Sequence, residues 1–343
     1  MQKLTTISLP QNVTEAEKAL FEPYSSFKLA PLKVKYLKNA FVTNPGFCMN
    51  KNGLVKESHH QYPNHYQRYL KEAGFYYYDV TDNPENLVTL DDENTYLLIH
   101  HPWFMYYHWI CESIFRLWMV RDKIRDMVLI LPDHYGALDF VMASLSPFGI
   151  KNIYFIPKGK SLMVKNLCLP QIKTVIESFD RKKIKEVRDF YLNYVLNEKN
   201  IHINKGERIY ISRKKASRKK VANEDDIIPI LLKYDFVILN NEDFNFFEQI
   251  SIYSNAKYLV SIHGSGLTNM LFMQYDSVIL EFHKRLTNSG DWHSLAFWYL
   301  AEALNHKYYH QICEPTDVND DYFNANFIVD TALLEKNLSL IFA

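Results

Sequence analysis

The sequence lacks net charge, and it lacks apolar runs long enough to cross a membrane. Lys and Arg together number 39, as do Asp and Glu, in a chain of 343 residues. A neutral balance gives no support to broad nucleic-acid binding, although it leaves a local basic patch open. The longest apolar segments, such as "FWYLAEAL", fall well short of the ~20 residues of a spanning helix. We therefore expect no nucleic-acid partner and at most peripheral contact with a membrane.

Cysteines are few and widely spaced, at Cys48, Cys111, Cys168 and Cys313. The absence of a CxxC pair excludes the usual zinc-finger pattern, and the spacing does not resemble a disulfide framework. Reduced cysteines are typical of a cytoplasmic protein. The N-terminal stretch "MQKLTTISLPQNVTEAEKAL" has no apolar core of a signal peptide. These absences favour a cytoplasmic protein.

What the sequence does contain is an alternation of strand and helix patterns. A hydrophobic content of 48% is enough for a substantial core, and the length suggests two domains. Residues 1 to about 90 look irregular and β-rich. Beyond them, strands are predicted over 95–102, 127–133 and 152–157, with a helical pattern from 106 to 124 between the first two. This alternation predicts a parallel sheet covered by helices.

The alternation restarts in the second half of the chain. A charged, amphipathic helix is predicted over 176–198 as the connection between halves, and strands are predicted over 208–213 and 277–282. Two such units in tandem predict an α/β fold of two Rossmann-like lobes that face a cleft. We place the lobes at 1–200 and 201–343.

A glycine-containing turn lies where a strand passes into a helix, in "YLVSIHGSGLTNMLFM". Gly264 and Gly266 would let a ligand approach the backbone, and the following helix would offer free N–H groups. His263 could add a donor to a diphosphate. The alternative is that the glycines only make a tight turn, since the pattern is neither GxGxxG nor a Walker sequence. On its own the turn supports either interpretation equally.

Charged groups are predicted at the same edge of that sheet. The strand "RIYIS" leads into "RKKASRKK", and the strand "SVILEF" contains Glu281, whose carboxylate could accept hydrogen bonds from a ribose. Arg213 and Arg218 are the best candidates for a diphosphate, because guanidinium groups bind phosphate in bidentate fashion. The lysines of the loop could be only solubilising. The alternatives are a solvated loop or a nucleic-acid patch, and a surface glutamate at a strand end.

In the first half, His108 and Glu112 lie four residues apart on a predicted helix and share one face. The pair could present a carboxylate as general base, with the histidine as its partner. A metal site is a second interpretation, but no third ligand is evident nearby. A third is that His108 is structural and Glu112 pairs with Arg116 one turn later.

Taken in order, these blocks resemble glycosyltransferase family 61. The matching stretches are "YYHWICESIFRLW", "RIYISRKKASRKKVANEDDI", "FNFFEQISIYSNAKYLVSIHGSGLTNMLFM" and "SVILEF". Three positions depart from the family pattern. Tyr106 replaces an asparagine, Phe115 replaces a proline, and Ser265 stands where "HGAG" is common. None of these changes removes a charged group.

The resemblance implies a GT-B fold and inverting transfer from a nucleotide sugar, with no cofactor and no obligate metal. It implies a UDP-linked donor and a glycan or lipid-linked glycan acceptor, in bacterial surface polysaccharide synthesis at the inner face of the membrane. The lobe 1–200 would bind acceptor and the lobe 201–343 the donor. The last helix is expected to cross back to the first lobe. A sugar-phosphate transferase and a non-catalytic glycan-binding subunit are the alternatives.

The same resemblance assigns roles to the residues singled out above. Glu112 would remove the acceptor proton with His108 as its partner, and Glu281 would lie near the ribose. The diphosphate would be bound by the remaining candidates, which are Arg213, Arg218, His263, Gly264, Ser265, Gly266 and Leu267.

Overall fold

The computed structural model describes residues 3–173, 175, 178–289 and 291–343. The chain divides into two compact units, of which the first comprises Ala30–Ser178 and the second comprises Lys3–Leu29 with Phe179–Ala343. The lobe boundary at residue 200 stays a prediction. Ile176 and Glu177, the predicted start of the connecting helix, lie outside the described residues.

The described strands, in chain order, are β1 Lys3–Thr6, β2 Ser26–Leu29, β3 Val34–Val42, β4 Cys48–Asn50, β5 Gly53–Leu54, β6 Leu87–Leu90, β7 Thr95–Leu98, β8 Met127–Pro132, β9 Asn152–Ile156, β10 Ser161–Pro170, β11 Arg208–Ile211, β12 Val237–Leu239, β13 Tyr258–Ile262, β14 Val278–Lys284, β15 Lys307–Pro315 and β16 Phe327–Ile328. The α-helices are α1 Pro63–Asp82, α2 Tyr106–His108, α3 Ile114–Trp118, α4 Asp139–Leu145, α5 Arg181–Leu192, α6 Glu224–Lys233, α7 Phe246–Ser254, α8 Ala296–Ala303 and α9 Thr331–Ile341. Two π-helical segments, Trp109–Ser113 and Asn193–Glu198, continue α2 and α5, and Ser265–Phe272 is a 3-10 helix.

The first unit is built on one mixed sheet in the order β5-β4-β3-β10-β7-β8-β9, with β6 also paired to β10. β7, β8 and β9 run parallel and confirm the strands predicted from 95, 127 and 152. Its core is apolar and includes Val42, Leu98, Ile130, Leu162 and Val164. An α/β architecture with a parallel region is therefore present in this unit.

α1 departs from the expectation that residues 1 to about 90 are irregular and β-rich. It is a helix of 20 residues, of which only Tyr69 and Ala73 are buried. The sequence does carry apolar residues at helical spacing, at Tyr69, Ala73, Tyr76 and Val80, so a helical period is present although few of its positions are buried. The run "FYYYDV" is rich in residues that favour strands, which hides the helix.

Arg116 connects the helical segment 106–118 to the ends of two strands through hydrogen bonds. Its guanidinium is buried and donates hydrogen bonds to the carbonyl oxygens of Pro170 at 2.7 Å, Ile99 at 2.6 Å and His100 at 2.9 Å. Pro170 ends β10, and the other two carbonyls follow β7. The arginine is therefore bonded to the backbone and forms no ion pair with Glu112.

The second unit contains a sheet in the order β12-β11-β13-β14-β15-β16, parallel except for β16. β12 lies on one side of β11, and β13 lies on the other. The direction of winding thus reverses at β11, and in open α/β sheets ligands bind at the carboxyl ends of the strands beside such a reversal. The basic loop (residues 213–220) follows β11 and the glycine turn (residues 263–267) follows β13, so both lie at the carboxyl ends of the strands beside this reversal.

The outer elements complete the second unit. Leu334 and Leu338 of α9 pack into the apolar cluster that contains Ile227 and Leu231 of α6, so the last helix belongs to this unit. Near the N-terminus, the Asn12 amide donates to the His310 carbonyl at 2.7 Å. Within the described ranges, every helix falls short of the length and apolar character that a bilayer crossing requires. The four cysteines are free and buried.

Replacing Arg116 with lysine tests its part in the fold. Lysine keeps the charge but cannot donate to three carbonyls in a plane, so buried acceptors lose their partners. We expect the free energy of unfolding to fall by about 2–3 kcal/mol in urea denaturation. Arg68→Lys on α1, where the side chain is 63% exposed, should change it by less than about 0.5 kcal/mol. Equal effects of the two substitutions would contradict this role.

Candidate functional site

In the first unit, three imidazole rings converge on the carboxylate of Glu112. His60 Nε2 lies 2.8 Å from Oε1, and His108 Nδ1 lies 2.8 Å from Oε2. His101 Nε2 lies 3.0 Å from Oε2. The helix carries Glu112 and His108 on one face, while His101 follows β7 and His60 precedes α1. The carboxylate is thus surrounded by ring nitrogens on both oxygens.

The surroundings keep this carboxylate ionised. Burial by itself raises the pKa of Glu112, but attraction to His60 and His108 outweighs it and holds the pKa well below its usual range. The ammonium of Lys173 lies 3.8 Å from Oε1 and adds positive charge. Burial lowers the pKa of His101 to about 3, so this ring is neutral near pH 7. The anion is therefore surrounded by imidazole rings, of which His101 is neutral, and by the cation of Lys173.

The two residues of the predicted pair differ in exposure. The side chain of Glu112 is 0% exposed and that of His108 is 21% exposed. Because Nδ1 of His108 is engaged by the carboxylate, Nε2 is the ring nitrogen left for another partner. The imidazole is consequently the member of the pair that an incoming molecule can reach.

His60, His101 and Lys173 were not predicted as part of this site. The one signal for the two histidines in the sequence is the doubled histidine, "HH", at 59–60 and 100–101, the second near the end of the strand predicted over 95–102. His60 is 52 residues from Glu112 along the chain, so only packing brings them together. The indole of Trp103 stacks on His60 at 4.6 Å between ring centroids and fixes that ring.

The second unit has a comparable arrangement around Glu281 on β14. The Tyr308 hydroxyl donates to Oε2 at 2.6 Å, and His263 Nδ1 hydrogen-bonds to Oε1. His283 Nε2 lies 3.4 Å from Oε2. The carboxylate is 0% exposed while the His263 side chain is 12% exposed. Glu281 therefore orients His263 and does not itself reach the surface where a ribose would lie.

The glycines of the turn leave room for neighbouring side chains. Gly264 has an extended backbone, with φ 174°, that any residue adopts. A Cβ added there would lie 3.2 Å from Nη1 of Arg213, and one added at Gly266 would lie 3.1 Å from Nδ2 of Asn241. No side chain caps the 3-10 helix that begins at Ser265. The glycine turn and Arg213 are thus in direct contact, as the order of strands requires.

Most cations of the basic loop are bonded within the second unit. Arg213 donates to the carbonyl oxygens of Lys219 at 2.9 Å and Arg218 at 3.3 Å, and Arg218 donates to Asn324 Oδ1 at 3.0 Å. Lys215 pairs with Asp243. Arg213 therefore stabilises the conformation of the basic loop and also lies beside the glycine turn. Arg218 is held by its hydrogen bond to Asn324.

Within the part of the chain that the structure describes, two residue sets have the composition of metal sites. They are His60, His101 and Glu112, and His263, Glu281 and His283, and in each set the ligand atoms lie within 4.8 Å of one another. At the first, the backbone N–H of Trp103 donates to Nδ1 of His101 at 3.3 Å. Nε2 then carries the ring proton and lies 3.0 Å from Oε2 of Glu112, without the geometry of a hydrogen bond.

Comparison with known proteins places these features in one family. No curated protein matches the chain. The family model described as Glycosyltransferase 61 matches residues 106–280, just over half of the chain. The match begins at the helix of His108 and Glu112 and includes the basic loop and the glycine turn. The resemblance seen in the sequence is thereby confirmed, and the chain belongs to glycosyltransferase family 61, whose members transfer sugars.

Proposed function

We propose that this glycosyltransferase is an inverting enzyme that moves a sugar from a UDP-linked donor to a glycan acceptor in bacterial surface polysaccharide synthesis. The second unit would bind the donor and the first the acceptor, as in a GT-B enzyme. The proposal rests above all on one observation. The basic loop and the glycine turn occupy the two strand ends beside the reversal of the second sheet, and Arg213 contacts Gly264 there.

The donor diphosphate fits this strand edge chemically. The first N–H groups of the helix at Ser265 and Gly266 have no acceptor within a helix, so they suit an anion. Arg213 supplies positive charge beside them. His263, held by Glu281 through Nδ1, lies at the same edge. Preorganised donors of this kind stabilise the negative charge that develops on a departing diphosphate.

For the acceptor, we assign proton removal to Nε2 of His108. The sequence assigned this step to the Glu112 carboxylate, which is enclosed and surrounded by N–H donors. A carboxylate with a strongly lowered pKa is a weak base, but it stabilises an imidazolium and fixes the tautomer of its neighbour. Glu112 would thus position His108 and balance the charge that the ring acquires.

The proposed reaction is a single displacement at the anomeric carbon. The acceptor oxygen forms a bond to the anomeric carbon as the bond from that carbon to the diphosphate oxygen breaks. The hydroxyl proton passes to His108, and the electron pair of the broken bond leaves with the nucleoside diphosphate. Attack opposite the leaving group inverts the anomeric configuration.

A donor screen tests the function directly. Purified protein is incubated with UDP-, GDP-, CMP- and dTDP-linked sugars, and release of the nucleotide is measured with and without short glycan acceptors. We expect release from UDP-sugars that increases with acceptor, and a product of inverted configuration by NMR. Binding of glycans without any nucleotide release would instead favour a non-catalytic subunit, and release of a nucleoside monophosphate would favour sugar-phosphate transfer.

Substitution of His108 tests the assigned base. His108→Asn should lower kcat by about 100-fold or more, since general-base catalysis contributes roughly that factor, and should leave UDP affinity unchanged. Glu112→Gln should lower kcat as well, because the amide cannot balance an imidazolium. His134→Asn, at a histidine 53% exposed, is the matched control and should retain activity. Turnover retained in His108→Asn would exclude it as the base.

Arg213 is tested through nucleotide affinity. Arg213→Ala removes a cation beside the glycine turn and two hydrogen bonds to the loop, so UDP affinity should fall by about tenfold or more. Arg285→Ala removes an exposed arginine of the same unit that pairs with Glu314, and should leave affinity unchanged. Calorimetric titration measures both variants. An affinity equal to wild type in Arg213→Ala would remove this residue from the site.

A further inference from the structure

Among the described contacts of the basic loop, one cation differs from its neighbours in having neither an anionic partner nor another hydrogen-bond acceptor. Lys219 is 5% exposed, and none of the hydrogen bonds or ion pairs among the described residues involves its ammonium. By contrast, the exposed Lys214 ammonium lies 3.6 Å from Asp225, and that of Lys220 donates to the Lys214 carbonyl at 3.0 Å. The buried lysine is thus the one whose charge the surrounding chain leaves uncompensated by direct contact.

Its contacts are with aromatic faces. The Nζ atom lies 4.4 Å from the ring centroid of Tyr322 and 5.7 Å from that of Phe327. A ring face attracts a cation but supplies no hydrogen-bond acceptor for its N–H groups. A buried ammonium without acceptors costs free energy that a folded protein normally avoids. The arrangement is therefore unfavourable until an acceptor arrives.

The backbone conformation of Lys219 and the pKa of its amine also indicate an unfavourable environment. Its φ is +57°, a left-handed conformation uncommon outside glycine, and its carbonyl is held there by Arg213 Nε at 2.9 Å. Burial lowers the pKa of Lys219 to about 7, with only a partial opposing effect from Glu281. An ammonium in such surroundings is stabilised by any anion that comes within hydrogen-bonding distance.

Lys219 also lies beside the donor site already described. Tyr322, beneath its ammonium, packs against His263 at 5.3 Å between ring centroids. Arg213 is bonded to its carbonyl and contacts Gly264. The cation, the directed histidine and the glycine turn therefore share one edge of the second sheet.

We propose that Lys219 is an anion-binding residue of the second unit, and that its ammonium binds a phosphate group of the nucleoside diphosphate. This inference rests on the proposed function and goes further by moving the phosphate contact to a lysine that the sequence grouped with solubilising charges. A lysine is a suitable phosphate ligand because it offers a compact charge with three donors.

Titration calorimetry on the full chain tests the proposal. Lys219→Met should weaken binding of UDP and of inorganic pyrophosphate by about tenfold to 100-fold, the loss expected for a charge-assisted hydrogen bond. Uridine, which has no phosphate, should bind wild type and variant alike. Lys214→Met is the matched control from the same loop, exposed and paired with Asp225, and should bind as wild type does.

Thermal unfolding without ligand separates binding from a structural role. Removing a buried charge that lacks acceptors should leave Tm unchanged or raised in Lys219→Met. If Lys219→Met does not fold, Lys219→Gln replaces it in the same titrations. A lowered Tm together with unchanged UDP and pyrophosphate affinity would overturn the inference in favour of a purely structural contact with Tyr322.

The pH dependence gives an independent readout. Phosphate binding requires the protonated amine, so wild-type affinity for UDP should fall as pH rises from 7 to 9, approaching about tenfold per unit. Lys219→Arg should bind without this fall, because guanidinium stays charged. Burial lowers the pKa of His263 to about 3 and raises that of Tyr322 well above its usual range, so neither changes state there. The other charged groups facing the amine are Arg213, Arg218, Glu281 and Asp321.

The outcomes separate this inference from the proposed function. If wild type binds pyrophosphate but no nucleotide, and Lys219→Met loses pyrophosphate, then the anion site stands and the donor assignment fails. If wild type binds UDP and Lys219→Met binds it equally, then the donor assignment stands and the lysine is excluded. If wild type binds neither nucleotide, pyrophosphate nor inorganic phosphate, then both are overturned.

Discussion

The need to compensate a buried carboxylate governs both candidate centres. Glu112 and Glu281 each have side chains 0% exposed, and a buried anion is tolerated only where hydrogen bonds and charges stabilise it. Imidazole rings surround each carboxylate. In each, one of those rings remains partly exposed, His108 in the first unit and His263 in the second. The buried charge thus fixes the direction of a histidine that a ligand can reach.

The strand order of the second sheet decides the position of His263. β13 and β14 are parallel neighbours, so their carboxyl ends share one edge of the sheet with the loop that follows β11. At that edge the loop from 213 to 220 brings Arg213 against the glycine turn. The glycines let Arg213 and Asn241 pack close to the turn, since a Cβ at Gly264 or Gly266 would make a tight contact with them. Charge and steric fit together make this the anion-binding edge of the unit.

The parallel strands were predictable from sequence because each is a short apolar run bounded by turn residues. β8, β11 and β13 lie where the pattern placed them. α1 and β10 were not predicted. α1 contains a run of strand-favouring residues, "FYYYDV", and β10 owes its place to pairing with β3, more than 100 residues away along the chain. The helix predicted after Gly266 is a 3-10 helix, a distinction that hydrophobic spacing does not make.

By itself, the sequence determined the α/β class, the family and the order of the motifs, because strand periodicity and strand-end chemistry are local properties. It also determined that Glu112 and His108 share a helix face. The tertiary structure alone decided that Glu112 is enclosed, that His60 and His101 surround it, and that Lys219 is the buried cation among its neighbours. Burial depends on how distant segments pack. Residue type and spacing therefore indicate which groups can react, and packing decides which of them is charged, oriented and accessible.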